Sequence, residues 1–296
     1  MDGVLNVDKP PGMTSHDVVN AVRRLAMEKR VGHTGTLDPL ATGVLVLCLG
    51  KATRIAQYLE AGEKEYKAVM RLGVTTDTLD ADGRVIAMRS YIPPDRFQLL
   101  QAIENFTGTI MQQPPAYSAI KVRGIPSHRL AREGKAEPLK SRSVRIHSIE
   151  LTGYQDPFVS FTVKCSKGVY VRTLCADIGE SLGTGAHLTS LMRTRSGRFS
   201  IDHAVSLDQL ADLAAAGSLQ QILVSVDGAL ADFPEITVND TESVRILHGN
   251  RIVCPSYTST TDGGPVRIHD RAGRLLALAR VAGCEFKPEL VFSFDS

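Results

Sequence analysis

The chain has 296 residues, 43% of them apolar, and a formal net charge of +2, which is room for roughly two domains with real cores. No apolar run approaches the roughly 18 residues of a membrane span, and Asp2, Asp8, Lys9 and Pro10-Pro11 stand where a signal peptide would be apolar, so a soluble cytoplasmic protein is expected. The five cysteines (Cys48, Cys165, Cys175, Cys254, Cys284) are scattered, with no CxxC pair or Cys/His knuckle, which argues against zinc and predicts reduced thiols.

In chain order, Val4, Leu5 and Val7 predict a short strand ended by Pro10-Pro11-Gly12. Thr14, with Asp17 three residues on, reads as the cap of a helix whose Val18, Val22, Leu25 and Ala26 share a face. A glycine-rich loop, GHTGTLDPLATG from Gly32 to Gly43, leads into the buried-strand run Val44–Leu49 and then a helix through Ala52, Ile55, Ala56 and Leu59. Tyr66, Ala68, Met70 and Leu72 alternate with polar or outward residues at strand period. Pro93-Pro94-Asp95 opens a helix with Phe97, Leu100, Ile103 and Phe106 expected inward and Gly108 past its end.

From Ile120 to His147 eight Lys/Arg face only Glu133 and Glu137, with a short helix near Ser127–Glu133, and a second basic cluster follows at Arg193, Arg195 and Arg198. Each cluster reads as a solvated face or as a footprint for a polyanion. Val159, Phe161, Val163 and Cys165 predict a strand; Lys167-Gly168 then turns into a helix carrying Val171, Leu174, Cys175, Ile178 and Leu182 on one side, with Arg172 off that stripe in the first turn. After a helix at Leu207–Ala216, Phe233-Pro234 is the expected boundary. Beyond it come one short helix, Thr241–His248, and short strands at 251–253, 266–269, 275–281 and 290–292.

The loop poses the chemical question, because one carboxylate, Asp38, sits between Leu37 and Leu40. Asp before Pro is an ordinary turn former. The glycines at 32, 35 and 43 nevertheless let something else approach the backbone closely, Pro39 stiffens the site, and apolar neighbours shield the carboxylate from water. A shielded carboxylate needs a cation. Arg172 is a candidate, although a surface position is the stronger reading of its helix taken alone. Tyr66 is a core tyrosine or a platform for a base; His33 and Tyr170 carry the same two readings. Asp77, Asp80, Asp82 and Gly83 do not make a calcium loop, since an EF-hand aligned on Gly83 would place Arg89 where the bidentate glutamate belongs. A hairpin turn at Ala81-Asp82-Gly83 is expected instead. Walker, dinucleotide, GxSxG and HExxH signatures are absent, and no second acid supports a two-carboxylate glycosidase.

The chain resembles the TruB family of pseudouridine synthases. The resemblance runs through Asp8-Lys9-Pro10-Pro11-Gly12-Met13-Thr14-Ser15, the Gly32–Gly43 loop, Lys64-Glu65-Tyr66 with Leu72-Gly73 and Thr76–Asp80, and Gln113–Lys121. It continues through Cys165–Thr173 and Gly185-Ala186-His187-Leu188 leading to Leu191. It implies an α+β fold: a catalytic domain with a central mixed, mainly antiparallel sheet flanked by helices and loops over residues 1–234, and a small β-rich PUA-like RNA-binding domain over 235–296. It implies isomerisation of uridine 55 in the tRNA T-loop, with Asp38 as catalytic nucleophile or base, Arg172 as its ion-pair partner and Tyr66 stacking on the uracil. Tyr170 and Leu191 would line the pocket, His33 would fill space left in the T-loop by the flipped nucleotide, and Lys9 would support the loop. No cofactor, metal, membrane or obligate protein partner is implied, and a monomer binding the tRNA T-stem-loop is expected. The alternative is a tRNA-folding factor that opens the T-loop without catalysis. A base-releasing glycosylase ranks lower, since no motif suggests an activated water.

Overall fold

The computed structural model describes residues 1–118, 120–135, 137–253 and 263–292; Ala119 of the fourth motif and Cys254 lie outside the described residues. The chain divides into two units. One holds Leu5–Ile222 with Met1, and the other gathers Asp2–Val4 with the chain from Leu223 onward.

The first unit carries β1 (Gly3–Lys9), α1 (Ser15–Leu25), β2 (Val31–His33), β3 (Thr42–Leu49), α2 (Ala56–Glu60), β4 (Lys64–Leu72), β5 (Val74–Thr76) and β6 (Val85–Met88). It continues with α3 (Arg96–Glu104), β7 (Gly108–Gln112), β8 (Lys121–Val122), β9 (Ile125–Pro126), α4 (Ser127–Arg132), β10 (Arg142–Gln155) and β11 (Phe158–Cys165). It ends with α5 (Val171–Ser181), β12 (Ala186–Ser196), β13 (Phe199–Ser200) and α6 (Leu207–Ala215). The main sheet runs β1-β3-β12-β4-β11-β10-β7, with β2 paired to β3 and β13 to β12. Pairing is antiparallel from β12 through β4, β11 and β10 to β7, and parallel between β12 and β3. The architecture is the mixed, mainly antiparallel α+β sheet that the motifs imply.

Local chemistry accounts for the elements beside the site. Thr14 and Asp17 close a reciprocal capping box at the start of α1. β3 is buried on both faces from Gly43 to Leu49, as a central strand between β1 and β12 requires. β4 alternates strictly, with Lys64, Tyr66, Ala68, Met70 and Leu72 turned inward. At Gly43 the parallel pair closes up: φ is +93°, and a Cβ there would lie 2.4 Å from the Arg193 carbonyl oxygen. Only glycine fits, so Gly43 sets the distance between the Asp38 loop, which it terminates, and β12.

Two expectations fail on packing grounds. In α3 the buried residues are Leu99, Ala102 and Ile103, whereas Phe97 is 72% exposed and Leu100 44%. The helix carries two apolar stripes, and the one that spans Leu99, Ala102 and Ile103 faces inward. The second basic cluster is not one solvated face either. Arg193 and Arg195 lie two apart on β12, flanking Thr194, and a one-residue register shift lies between Arg193 and Arg195 in the β12–β4 pairing. The shift separates them, so Arg193 is buried and Arg195 exposed.

The second unit carries α7 (Val226–Ala229), β14 (Glu235–Thr237), α8 (Asp240–Leu247), β15 (Ile252–Val253), β16 (Pro265–His269), β17 (Leu275–Ala282) and β18 (Glu285–Val291), in a five-stranded sheet of order β14-β16-β17-β18-β15. Its core packs Ile246, Ile252, Ile268, Val281 and Phe286. Phe233-Pro234 falls inside this unit: the Asp227 carboxylate accepts hydrogen bonds from Arg267 Nη1 (2.8 Å) and His269 Nε2 (3.0 Å), and the Phe233 carbonyl accepts one from Arg267 Nε (3.1 Å). Cys48, Cys165 and Cys175 are buried free thiols and Cys284 an exposed one. Among the described residues no helix is long and apolar enough to cross a membrane.

Gly43→Ala is expected to lower stability by about 3 kcal/mol, the sum of a left-handed backbone and a steric overlap with β12 that neither strand can relieve alone. Urea unfolding of the variant against wild type reads the effect directly.

Candidate active site

Asp38 sits in a loop that backbone carbonyls and buried polar groups hold rigid. Ser15, at the start of α1, donates from Oγ to the Leu37 carbonyl (3.0 Å) and accepts from the Leu37 N–H (2.8 Å). Pro39 starts a turn closed by Ala41 N–H to the Asp38 carbonyl (3.1 Å), and its own carbonyl accepts from Gly12 N–H (2.9 Å). Fully buried Lys9 donates from Nζ to the carbonyls of Pro10 (2.8 Å), Met13 (2.6 Å) and Pro39 (3.3 Å). Burial lowers its pKa to about 8 against the pull of Asp38 and Asp17. The lysine therefore braces the loop.

Arg172 arrives from the first turn of α5. Gln112 sets that entry with a two-way clamp on Tyr170, accepting from its N–H (2.8 Å) and donating to its carbonyl (3.1 Å). The guanidinium is 4% exposed and reaches four groups in three segments. Nη1 donates to the Thr78 carbonyl (3.0 Å) and to Asp80 Oδ2 (3.1 Å), Nη2 donates to the Tyr117 carbonyl (2.9 Å), and Nε stands 3.0 Å from Asp38 Oδ2. This last contact is Coulombic, because the buried Nε has no aligned hydrogen-bond acceptor. Asp80 is itself buried, in the turn between β5 and β6, and takes a hydrogen bond from Thr78 Oγ1.

Burial raises the Asp38 pKa above its ordinary value, Asp80 pushes in the same direction, and Arg172 and Lys9 oppose the rise. Enclosure is not complete, for 35% of the Asp38 side-chain surface stays open. It opens into a cavity of about 350 Å³ lined also by Tyr66, Tyr170, Leu191, Arg142 and Arg193. Leu191 is buried on β12, Tyr66 is buried on β4, and the Arg142 guanidinium stacks 5.0 Å from the Tyr170 ring centre. A second cavity of about 540 Å³ shares Thr36, Leu37, Asp38, Ser118 and Arg172 with the first and holds His33. His33 Nδ1 accepts from Gly35 N–H (3.3 Å), and burial together with Arg193 lowers its pKa, so the ring is neutral at pH 7.

Asp38, Tyr66, Tyr170, Arg172 and Leu191 thus line one cavity, His33 lines its neighbour, and Lys9 lies under the loop. Arg172 is buried, which removes the surface reading of its helix position. Among the described residues no three His, Cys, Asp or Glu side chains gather as a metal site would. Arg193, Asp80, Gln112 and Arg142 escaped the sequence reading as parts of the site. Arg193 is two residues from Leu191 on one strand, a signal that would have turned both inward. Asp80 had no such signal, since its partner comes from a distant helix.

A raised carboxylate pKa means that between the ordinary value near 3.8 and the folded value the native state binds more protons than the unfolded chain. Wild-type stability therefore falls as pH rises through that window, and the deficit persists in full above it. Asp38→Asn should melt higher than wild type at pH 7, with the advantage shrinking as the pH falls toward 4. Thermal melts of both proteins across that range test it, and an Asn variant that melts lower at pH 7 contradicts the electrostatic picture.

The model of the TruB family pseudouridylate synthase N-terminal domain matches residues 23–171, and that of the tRNA pseudouridylate synthase B C-terminal domain matches residues 172–231. The chain is 45% identical over 291 residues to a tRNA pseudouridine synthase B of Burkholderia lata, covering 98% of this chain and 89% of the relative. It is 45% identical over 249 residues to that of Geotalea uraniireducens, covering 84% and 80%. A crystal structure of a Cbf5-Nop10-Gar1 complex aligns with 98% of this chain and 85% of its own at a TM-score of 0.78 and 29% identity. An H/ACA RNP bound to a substrate RNA containing 2′-deoxyuridine aligns over the same shares at 0.76 and 27%. With the motif residues gathered around one cavity and relatives matched over nearly its whole length, the chain belongs to the TruB family of pseudouridylate synthases.

Proposed function

We propose that this isomerase converts uridine 55 in the T-loop of tRNA to pseudouridine, with Asp38 as its catalytic nucleophile or base, acting in the cytoplasm as a monomer. The observation that carries the reading is the Asp38 carboxylate held 3.0 Å from a buried guanidinium at an open cavity wall. The names of the 45% identical relatives support tRNA as substrate.

The reaction breaks N1–C1′, turns the uracil and joins C5 to C1′. C5 loses a proton and N1 gains one, so the nucleoside keeps its composition and no redox partner or hydrolytic water enters. Asp38 can attack C1′ or C6 or take a sugar proton, and each route starts from the ionised carboxylate that Arg172 sustains. Burial opposes that ionisation, and in doing so makes the carboxylate more basic than an exposed one.

The target base must first leave the folded loop, at a cost of a few kcal/mol. Tyr66 stacks on the extruded uracil, Tyr170 and Leu191 close the pocket around it, and His33 occupies space that the base leaves in the T-loop. A neutral His33 suits that place, since stacking among bases needs a ring and no charge. The basic segment after Ile120 and the PUA-like second unit supply contacts to the RNA backbone.

Tritium release from a [5-³H]uridine-labelled tRNA transcript tests the assignment, because C5 must lose its hydrogen. Asp38→Asn is expected to lower release by at least about 10³-fold, and a transcript with cytidine at the T-loop target should release nothing from that site. Wild type that binds tRNA but releases no tritium would favour the RNA-folding reading. Arg172→Lys should cost at least about tenfold in single-turnover rate while tRNA affinity stays within about threefold, since an ammonium cannot reproduce the planar fork. An unchanged rate in that variant would count against the Asp38–Arg172 pairing.

A further inference from the structure

Arg193 is the largest fully buried side chain in the first unit, 2% exposed, and no carboxylate pairs with it among the described residues. A guanidinium without an anion is expensive to bury unless its donors are fully used. Its donors go to neutral groups from three elements. Nε donates to the Val44 carbonyl on β3 (2.6 Å), Nη2 donates to the Gly35 carbonyl in the Asp38 loop (3.1 Å), and the Tyr66 hydroxyl on β4 lies beside the same guanidinium.

The backbone repeats this arrangement. Arg193 stands opposite Tyr66 in the β12–β4 register and opposite Gly43 in the β12–β3 register. The close approach at Gly43 presses β3 against the Arg193 main chain, while the side chain reaches back along β3 into the loop. One residue is therefore fixed to both ends of the Asp38 loop and to the ring expected to hold the base.

We propose that Arg193 is a positioning residue, setting the Gly35–Gly43 loop, and with it Asp38, against the Tyr66 ring. Among the described residues it makes no ion pair with the Asp38 carboxylate, and it acts through the Gly35 carbonyl and the Tyr66 hydroxyl. Its catalytic consequence rests on the isomerase reading above; its effect on the loop does not.

Two readouts separate those parts. Amide hydrogen exchange in Arg193→Met should speed up about tenfold at Gly35, Leu37 and Ala41 while the amides of β11 and of the second unit keep wild-type rates. Single-turnover tritium release should fall about 10²-fold with the tRNA Kd within about threefold, the signature of misplacement without lost binding. Tyr66→Phe removes one partner of the guanidinium and leaves the Val44 and Gly35 carbonyls in place, so the double variant should lose less than the product of the two single losses.

Unchanged loop exchange would overturn the proposal, as would acceleration spread evenly over all core amides, which marks general destabilisation. A wild-type rate in a variant with a loosened loop would overturn the catalytic part. If Arg193→Met does not fold, Arg193→Lys takes its place under the same criteria. Wild type releasing no tritium would count against the isomerase reading, and hydrogen exchange would still decide the loop.

Discussion

The site hangs on how one buried guanidinium is shared. Arg172 faces two carboxylates, and it satisfies Asp80 with an aligned hydrogen bond and Asp38 with proximity alone. Asp80 is enclosed and takes hydrogen bonds from both Arg172 Nη1 and Thr78 Oγ1. Asp38 receives what is left of the cation's field, enough to favour ionisation but less than burial takes away, and so its pKa is raised. A carboxylate clamped by both guanidinium nitrogens would be more stable and a poorer base. The unequal division leaves Asp38 in the more basic of those two possible states, as the proposed role requires.

The two buried arginines of the cavity wall do opposite things with the same chemistry. Arg172 joins α5 to the β5–β6 turn and the Asp38 loop through charge. Arg193 joins β12, β3 and β4 to that loop through two carbonyls and the Tyr66 hydroxyl, and its charge adds to burial in disfavouring protonation of His33 and Lys64 nearby. The cavity therefore keeps its permanent positive charge on arginines, which do not titrate, while the His33 ring stays neutral at pH 7 and Lys64 is drawn down to about 8. That matters for a reaction that moves protons on a uracil, because a stray imidazolium would protonate or bind the wrong atom.

Sequence reading reached what depends on neighbours along the chain. The Thr14 cap, the buried run of β3 and the alternation of β4 follow from spacing alone, since each is decided within one element. Motif resemblance then supplied Asp38, Arg172, Tyr66, Tyr170 and Leu191, whose meeting no periodicity could show. What stayed hidden has one physical cause: Arg193, Asp80 and Gln112 find their partners across the sheet or from distant segments. A charged side chain read by its neighbours in sequence is assigned to solvent by default. Arg193 broke that default because β12 turns it inward, and Phe97 broke the converse one because α3 had a second apolar stripe to bury.

Stability and reactivity pull against each other at this loop, and the hydrogen bonds beneath it are the compromise. Burial raises the Asp38 pKa and lowers that of Lys9 to about 8, although each charge attracts the other. Desolvation exceeds that attraction in both cases, so burial disfavours the charged form of each. Lys9 recovers part of the cost by giving its three N–H donors to three carbonyls, and the Ser15 and Gly12 bonds add to the same loop. As Lys9 loses its proton above about 8, three acceptors must share two donors, and the brace loosens on the alkaline side. As Asp38 gains a proton on the acid side, the charge at the cavity wall disappears and its desolvation cost with it. The pH range over which the loop is both braced and charged is therefore bounded by two groups that burial has pushed toward each other.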